Sequence, residues 1–154
     1  MLDVFYPSPE LGPAPKSDLQ WFPPKELDEK AGRDELRNVR TEVVRCEIDL
    51  GSEVSSTQDA YLRLHLLSHL LVQPNQLNLE GLIPNLPIVA FTNKGVIGLD
   101  EFESRAFELR SAGVVAHSID KFPRLIDYVV PKKVRIADGN RVRLGAYLAP
   151  GTTV

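Results

Sequence analysis

The chain has 154 residues, of which 43% are hydrophobic and 25% charged, a composition typical of a globular protein with one ordinary domain or two small ones. Its formal charge of −3 argues against a protein that coats nucleic acid or an anionic membrane. No apolar run approaches the length of a membrane span, and the N-terminus lacks a signal-peptide layout. We therefore expect a cytoplasmic protein that binds neither nucleic acid nor membrane.

The first 40 residues are predicted to form an extended, proline-rich arm. Residues 2–6 are apolar and favour a short strand. Proline removes backbone donors and blocks helices, and half of the prolines lie in the first 24 positions, at Pro7, Pro9, Pro13, Pro15, Pro23 and Pro24. Trp21 and Phe22 are the apolar spot of the arm, and we expect them to dock on the body of the protein or on a neighbouring subunit.

Residues 41–129 are predicted to form a compact α/β domain. Apolar residues alternate with charged ones over residues 44–50, which predicts a strand with Cys46 pointing inward. Ser55, Ser56 and Thr57 with Asp59 form an N-cap signature. The helix predicted for residues 60–72 carries leucines on more than one face, so it must be buried on several sides and end before Pro74.

The next stretch reads as strand, helix and strand. We predict a strand at residues 88–92, a helix at 101–112 and a strand at 114–119, with Asp100 and Glu103 as a capping pair and Gly113 in a left-handed position. A strand, helix and strand of this length usually form a parallel pair with a right-handed crossover.

Residues 130–154 carry a hexapeptide repeat. Aliphatic residues recur at every sixth place, and residues that are small or β-branched stand four places after three of them; the two sets are Val130, Ile136, Val142, Leu148 and Val154, and Val134, Ala146 and Thr152. Neither a helix nor a plain strand reproduces this period. A triangular parallel β-helix does, with three hexapeptides to a coil.

The repeat supplies little more than one coil. Solenoid units bury a core only by stacking, so about three units are needed for stability. Because the sequence stops at the core position Val154, we expect it to be the front part of a longer polypeptide. The stretch is expected to be ordered alone only if it pairs with another copy or lies along the α/β body.

Several segments together resemble the tetrahydrodipicolinate N-succinyltransferases of the actinobacterial and pseudomonad type. The similar segments are residues 60–69 (AYLRLHLLSH), 78–81 (NLEG), 92–93 (TN), 120–124 (DKFPR), 127–131 (DYVVP), 134–138 (VRIAD) and 141–154 (RVRLGAYLAPGTTV). The start of the chain, residues 2–7 (LDVFYP), is similar to that of some members. The upstream blocks make the resemblance specific, since they belong to no general β-helix pattern.

The resemblance implies a fold and an activity. The fold is an α/β N-terminal domain followed by the first coil of a left-handed parallel β-helix, in a homotrimer. The family transfers succinyl from succinyl-CoA to the amino group of a ring-opened dicarboxylate, in diaminopimelate and lysine biosynthesis. Its catalytic glutamate lies beyond the equivalent of Val154, so we assign no catalytic, cofactor-binding or metal residue here. We expect the 154-residue chain to be inactive alone.

The chain departs from the family at two positions. Some relatives have an acidic residue, implicated in a metal site that can hold magnesium, where this chain has Asn140. A neutral amide is a poorer ligand for a hard cation, so the metal site is not transferred. Relatives also carry an arginine where this chain has Leu70.

The histidines and two of the glycines each have a structural interpretation and a functional one. His65 and His69 have the spacing of a helical zinc pair, and His117 is a conceivable third ligand. The glutamate of a metalloprotease is missing, so we favour structural histidines that hydrogen-bond within a buried helix. Gly95 and Gly98 hint at a phosphate-binding turn, but the acidic residues that follow favour a structural turn.

Basic side chains dominate residues 121–143. Seven basic residues stand against two acidic ones, namely Lys121, Arg124, Lys132, Lys133, Arg135, Arg141 and Arg143 against Asp127 and Asp138. This stretch is either a solvated outer wall or an electropositive surface for a dicarboxylate or the phosphates of CoA. Cys46 is predicted to be a core residue and not a nucleophile.

Two rival functions stay open. One is a non-catalytic module that trimerises or docks a partner. The other is a hexapeptide acyltransferase with a different acceptor, since the repeat fixes architecture and not substrate.

Overall fold

The computed structural model describes residues 1–13 and 21–154. The helices are α1 (Lys25–Asp28), α2 (Thr57–Ser68), α3 (Leu99–Ser104) and α4 (Ala106–Ser111). The strands are β1 (Gly32–Asp34), β2 (Val39–Thr41), β3 (Val89–Thr92), β4 (Gly95–Gly98) and β5 (Ala116–Asp120), and short 3-10 turns lie at Ile83–Asn85, Leu125–Asp127 and Gly139–Arg141. Among the described helices, none has the length and hydropathy needed to cross a bilayer.

Helix α2 forms the centre of the core. The Ser56 side chain caps its first turn by accepting a hydrogen bond from the backbone N–H of Asp59, as the N-cap signature predicted. Every residue from Asp59 to Ser68 is buried. The prediction of a helix buried on several sides is therefore confirmed.

The predicted end of this helix is wrong. Helix α2 ends at Ser68 and not near Pro74, because Leu70 takes a left-handed conformation with φ of 60°. The N–H of Leu71 then bonds the carbonyl of Leu66, and the N–H of Leu70 bonds that of Leu67. These two bonds form a Schellman motif, which satisfies the last carbonyl groups of the helix.

The Arg63 guanidinium lies inside the core, where only 1% of the residue is exposed. Its Nε donates to Asp59 Oδ1 at 2.6 Å, and its Nη2 donates to Asp59 Oδ2 at 3.2 Å. The remaining bonds go to backbone carbonyl oxygens outside the helix, those of Ser52 at 2.6 Å, Asn78 at 2.5 Å, Asp49 at 3.3 Å, Leu50 at 3.4 Å and Glu53 at 3.5 Å. Arg63 thus ties two loops to α2.

The three-stranded sheet has β3 at its centre, with the strand order β4-β3-β5. All four residues of β3 are buried, as a continuous apolar run indicates. The predicted parallel pairing of residues 88–92 with 114–119 is wrong, because β3 and β5 are antiparallel. The prediction overlooked β4, which pairs with β3 across a turn at Asn93 and Lys94. This turn reverses the chain direction before the helices.

The helix predicted for residues 101–112 is broken into α3 and α4. Arg105, with φ of −117° and ψ of 24°, separates them. Its guanidinium bonds Glu101, Glu108 and the carbonyl of Leu36. No side chain among the described residues caps α3, so the expected pair of Asp100 and Glu103 does not form, whereas Gly113 is left-handed as predicted, with φ of 82°.

The segment 44–50 has the predicted alternation but no described strand partner. Cys46, Ile48 and Leu50 are half-buried and pack against the Leu62 side of α2, while Arg45, Glu47 and Asp49 are exposed. The side chains follow a period of two because the backbone is extended. The strand assignment is wrong, since no backbone ladder forms with a described segment.

The arm is more structured than predicted. It contains α1 and the antiparallel hairpin of β1 and β2, and part of it, residues 14–20 with Pro15, lies outside the described residues. The expected docking of Trp21 and Phe22 holds only in part. The Arg45 guanidinium lies 5.9 Å from the centre of the Trp21 ring, whereas Phe22 is 71% exposed.

Residues 2–6 lie on the core without forming a described strand. The backbone N–H of Tyr6 donates to His65 Nε2 at 3.2 Å, and the Tyr6 hydroxyl donates to the carbonyl of Gln58 at 2.8 Å. Val4 is buried in the main core cluster, together with Tyr61 and Leu64 of α2. The N-terminal segment is thus held by α2.

Residues 130–154 contact the same core through part of the repeat. Val142 is buried, and Ile136 and Leu148 pack against the main core cluster. Val130 and Val154, at the two ends of the repeat, are 87% and 50% exposed. An end position of a stacked repeat has a neighbour on one side only.

Backbone hydrogen bonds join the two ends of this segment. The N–H of Arg135 bonds the carbonyl of Thr152 at 3.0 Å, and the N–H of Val154 returns a bond to the carbonyl of Arg135 at 2.9 Å. The N–H of Ala137 bonds the carbonyl of Val154 at 2.8 Å. These bonds make a parallel bridge between Arg135 and Thr153.

Gly81 and Gly113 offer a matched test of close packing. Their φ angles are 83° and 82°, so an alanine at either position costs about 1 kcal/mol of left-handed strain. A Cβ on Gly81 would meet the Val54 carbonyl oxygen at 2.9 Å, whereas a Cβ on Gly113 meets nothing within 4 Å. We predict that Gly81→Ala lowers the free energy of unfolding by about 1 kcal/mol more than Gly113→Ala, as measured by urea denaturation. Equal losses would contradict this packing.

Candidate functional site

A crevice of about 350 Å³ opens between the N-terminal segment, the β3–β4 hairpin and the end of the 3-10 turn at Leu125–Asp127. Its lining combines apolar and ionisable side chains. They are Phe5, Phe91, Val96, Arg37, Asp3, His117, Asp127 and Tyr128, with Thr92 and Gly95 of the hairpin. Mixed linings of this kind are typical of small-molecule sites, so this crevice is the candidate functional site.

Arg37 is fixed at the hairpin end of the crevice. Its Nε donates to Asp34 Oδ2 at 2.7 Å, and its Nη1 donates to the Val96 carbonyl at 3.2 Å. The guanidinium lies against Gly95, where a Cβ would come within 2.6 Å of Nη1. A glycine is therefore required at this turn both by its φ of 112° and by the arginine.

The side chains of His117 and Asp127 are in contact in the crevice. Nε2 of His117 lies 3.3 Å from Asp127 Oδ2, and Arg124 donates to both oxygens of the same carboxylate at 3.0 Å. Burial lowers the pKa of His117, and the cations of Arg124 and Arg143 lower it further, while Asp127 opposes them. The imidazole is therefore neutral at pH 7 and can accept a proton or a hydrogen bond.

Asp3 and Tyr128 form the opposite wall. The Tyr128 hydroxyl donates to Asp3 Oδ2. Burial raises the pKa of the Asp3 carboxyl, against the opposing effect of this hydrogen bond, and burial followed by the charge of Asp3 raises the pKa of Tyr128. The N-terminal segment thus brings an acidic group to the crevice from the far end of the sequence.

The crevice is electrically mixed and largely self-paired. Arg37 forms an ion pair with Asp34, and Asp127 forms one with Arg124 and contacts His117. The arrangement suits a small polar ligand held by hydrogen bonds more than a highly charged anion, because its cations already have carboxylate partners.

His65 and His69, which have the spacing of a helical zinc pair, differ in their contacts. His65 Nδ1 lies 2.6 Å from the carbonyl of Tyr61, and its Nε2 accepts from Tyr6. Both nitrogens of His65 are therefore engaged, which confirms the prediction that it hydrogen-bonds within a buried helix. The His69 ring stacks on His65 at 6.4 Å, and its Nε2 is buried without a partner among the described residues.

The three histidines are not brought together into a ligand set. Within residues 1–13 and 21–154, no group of three or more histidine, cysteine, aspartate or glutamate side chains has a metal-binding arrangement. Asn140 also does not fit a cation, because its Oδ1 accepts a hydrogen bond from the Arg124 guanidinium at 3.2 Å. Magnesium, which the family resemblance connects with that position, therefore has no fitting ligand at Asn140.

The remaining candidates are placed as follows. Gly95 begins β4, directly after the turn at Asn93 and Lys94, and Gly98 precedes the six-residue α3. Gly95 lines the crevice, where the Arg37 guanidinium occupies the space beside it. Cys46 is half-buried, and burial raises the pKa of its thiol. A raised pKa is typical of a packing residue and not of a nucleophile.

The basic stretch divides into two groups. Arg124 pairs with Asp127, the Arg143 guanidinium lies 3.7 Å from Asp120, and the Lys121 ammonium donates to the Ile83 carbonyl. The other four, Lys132, Lys133, Arg135 and Arg141, are exposed and form no ion pair with a residue that the structure describes. The unneutralised charge thus lies in the repeat segment.

Sequence reasoning missed the residues that build the crevice. Arg37, Asp3 and Tyr128 are 34 or more positions apart from one another in the sequence, and no local motif links them. Arg63 was also missed, although a signal existed. An arginine four residues after an aspartate in an otherwise apolar helix is the spacing of an i,i+4 pair, and it must be satisfied if the helix is buried.

Comparison with known proteins gives one consistent family. The family profile described as tetrahydrodipicolinate N-succinyltransferase middle matches residues 86–124, which include β3, β4 and β5. A 2,3,4,5-tetrahydropyridine-2,6-dicarboxylate N-succinyltransferase from Salinispora tropica is 41% identical over 165 aligned positions, covering all of this chain and 50% of the relative. The same-named protein of Pseudomonas aeruginosa is 56% identical over 102 positions, covering 65% of this chain and 30% of the relative.

A solved structure is similar as well. The crystal structure named for a 2,3,4,5-tetrahydropyridine-2-carboxylate N-succinyltransferase from Campylobacter jejuni superimposes with a TM-score of 0.61 at 33% identity. The superposition covers 67% of this chain and 28% of the other. The chain thus spans about half the length, or less, of the relatives that it matches.

The burial of His65 predicts an acid-sensitive stability. Burial lowers the pKa of His65 to about 4, against about 6.5 in an unfolded chain. The unfolded state then binds more protons between these values, so stability is lost as the pH falls from about 6.5 to about 4. We predict that the protonation of His65 lowers the free energy of unfolding by about 2 kcal/mol between pH 7 and pH 5. In His65→Gln, the free energy of unfolding measured by urea denaturation should depend correspondingly less on pH.

His117→Gln is the matched control for this experiment. His117 is less buried than His65 and its pKa is lowered less by its surroundings, so this variant should keep most of the wild-type loss between the two pH values. The raised pKa of Asp3 acts in the opposite direction and is common to all three proteins. A His65→Gln profile as steep as the wild type would contradict the assignment.

Proposed function

We propose, because this chain is homologous to part of the tetrahydrodipicolinate N-succinyltransferases, that it is the N-terminal portion of an enzyme that transfers succinyl from succinyl-CoA to tetrahydrodipicolinate in diaminopimelate and lysine biosynthesis. The observation that carries the proposal is 41% identity over the whole chain with the Salinispora relative. In this reaction the substrate amine attacks the thioester carbonyl, an amide bond forms, the C–S bond breaks and CoA leaves as its thiol.

The first coil of a left-handed β-helix at residues 130–154 is part of the proposal. Support comes from the parallel bridge between Arg135 and Thr153, whose positions differ by 18, the length of three hexapeptides. The bonds of Arg135 to Thr152 and Val154 run on both sides of that bridge. A spacing of three hexapeptides is what one turn of a triangular coil requires.

The proposed domains are an arm at residues 1–40, an α/β domain at 41–129 and the start of the β-helix at 130–154. The last two are joined through α2. Ser68 Oγ accepts from the Gly145 N–H at 2.8 Å and donates to the Ala146 carbonyl at 3.1 Å. A Cβ at Gly145 would come within 2.6 Å of the Leu64 side chain, so the backbone of this segment lies directly on α2.

We place the acyl-transfer chemistry outside the described residues. The self-paired crevice supplies no group that must act on a thioester, and it is proposed only as a wall near the acceptor. The exposed cations at Lys132, Lys133, Arg135 and Arg141 would attract a dicarboxylate and the phosphates of CoA by their charge. The proposed homotrimer is supported by exposed apolar side chains, of which Val130 and Phe107 are 87% and 84% exposed.

A chimera tests the proposal. Residues 1–154 are fused ahead of the part of the Salinispora relative that this chain does not match, and purified protein is assayed for release of CoA thiol from succinyl-CoA in the presence of tetrahydrodipicolinate. We predict turnover by the chimera and none by the unfused chain, because the catalytic groups belong to the other part. The unmatched part of the relative, expressed alone, is the second control.

The outcomes separate the rival functions. A folded trimeric chimera without turnover would favour the non-catalytic module. Turnover with another amine and none with tetrahydrodipicolinate would favour an acyltransferase with a different acceptor. Turnover by the unfused 154-residue chain would overturn the placement of the catalytic groups.

A further inference from the structure

The segment of residues 43–49, here called the edge segment, has the side-chain pattern of a strand. Cys46 and Ile48 pack against the cluster around Leu62 and Leu66 of α2. The intervening side chains of Arg45 and Glu47 point away from it and pair with each other at 2.7 Å, as residues two apart do on one face of an extended chain. One face of the segment is therefore fixed by the protein core.

The backbone of the edge segment lacks the ladder that such a strand normally has. In the part of the chain that the structure describes, the N–H and C=O groups of residues 43–48 make no backbone hydrogen bond. The neighbouring strand β2 ends at Thr41, and backbone hydrogen bonding resumes at Asp49, whose carbonyl accepts from the N–H of Ser52. An extended, unpaired strand held on a core is a template for pairing with another strand.

The charges of Arg45 and Glu47 determine which register of strand pairing is favourable. In antiparallel pairing of two copies, the alternation of faces is kept only when the two opposed residue numbers have an even sum. Pairing centred on Glu47 would oppose two glutamates, and pairing centred on Arg45 would oppose two arginines. Pairing centred on Cys46 opposes Arg45 to Glu47 of the second copy, twice by symmetry.

The same register also suits the inner face. It opposes Val44 of one copy to Ile48 of the other, and β-branched pairs stabilise antiparallel strands. Cys46 opposes its own counterpart at the centre. Among the three registers centred on residues 45, 46 and 47, this one alone has no like charges opposed across the strands.

We propose that the edge segment is an interface at which two copies of this chain pair as antiparallel strands centred on Cys46. The contact is isologous, since each copy contributes the same residues. It joins copies in pairs and so differs from a threefold contact of the kind proposed for the trimer. The inference does not rest on the acyltransferase proposal.

A charge-exchange experiment tests the register. Arg45→Glu opposes two pairs of glutamates in its own dimer, and Glu47→Arg opposes two pairs of arginines. Each variant alone should therefore dimerise at least about tenfold more weakly than the wild type. An equimolar mixture restores every opposed pair to opposite charge, so it should form a heterodimer with nearly the wild-type dissociation constant, measured by sedimentation velocity with one variant labelled.

Arg40 and Glu42 provide the matched control. They form a similar exposed pair two residues apart, at 3.4 Å, but in the proposed register Glu42 faces Leu50 of the other copy and Arg40 lies opposite Ser52. Arg40→Glu and Glu42→Arg should leave dimerisation within about twofold of the wild type. Circular dichroism of every variant checks that the fold is kept.

Three results would overturn the proposal. The wild type is monomeric at micromolar concentration, the single variants dimerise as well as the wild type, or the mixture is no tighter than its components. The last result would assign Arg45 and Glu47 to their contact within one chain, because an intramolecular pair cannot be restored by mixing.

Discussion

The buried guanidinium of Arg63 is the interaction on which the rest of the structure depends. Transfer of an isolated charge into a protein interior costs several kcal/mol, and the cost is offset only if the partners are complete. Arg63 has them, because Asp59 supplies the opposite charge and backbone carbonyl groups of two loops take the remaining hydrogens. Among the described residues, the carbonyl groups of Ser52 and Asn78 have no hydrogen-bond donor other than Arg63, and a buried carbonyl without a donor is unfavourable.

The position of α2 then determines the contacts of both ends of the chain. On one side His65 accepts from Tyr6 and holds the N-terminal segment, which carries Asp3 to the crevice. On the other side Ser68 holds the backbone at Gly145 and Ala146. A single helix therefore links the N-terminal segment to the segment with the hexapeptide repeat, although these two segments are more than 100 residues apart in the sequence.

The sequence predicted features that depend on neighbours along the chain. The cap at Ser56, the burial of α2 and the left-handed Gly113 follow from local chemistry. The direction of β5 did not, because the short strand β4 is rich in glycine and looked like a turn. The sequence also could not predict that residues 44–50 lack a strand partner among the described residues. A period of two shows which side chains are buried and not whether the backbone is paired.

The candidate site was harder to predict than the fold for a physical reason. Its ionisable groups come from the N-terminal segment, from the loop of the β1–β2 hairpin and from β5, and each has its partner from another element or loop. The resemblance of the chain to succinyltransferases did not locate these groups. The chain spans about half the length of the Salinispora relative.

Hydrogen exchange tests the central role of Arg63 most directly. In the variant Arg63→Lys, whose ammonium cannot reach all the carbonyl groups that the guanidinium spans, the amides of Val54 and Asn78 should exchange much faster than in the wild type. The Val54 amide bonds the Glu80 carbonyl and the Asn78 amide bonds the Leu50 carbonyl, so both bonds join the two loops to each other. The amides of β3 should exchange at nearly the wild-type rate. Unchanged protection of Val54 and Asn78 in this variant would contradict the account.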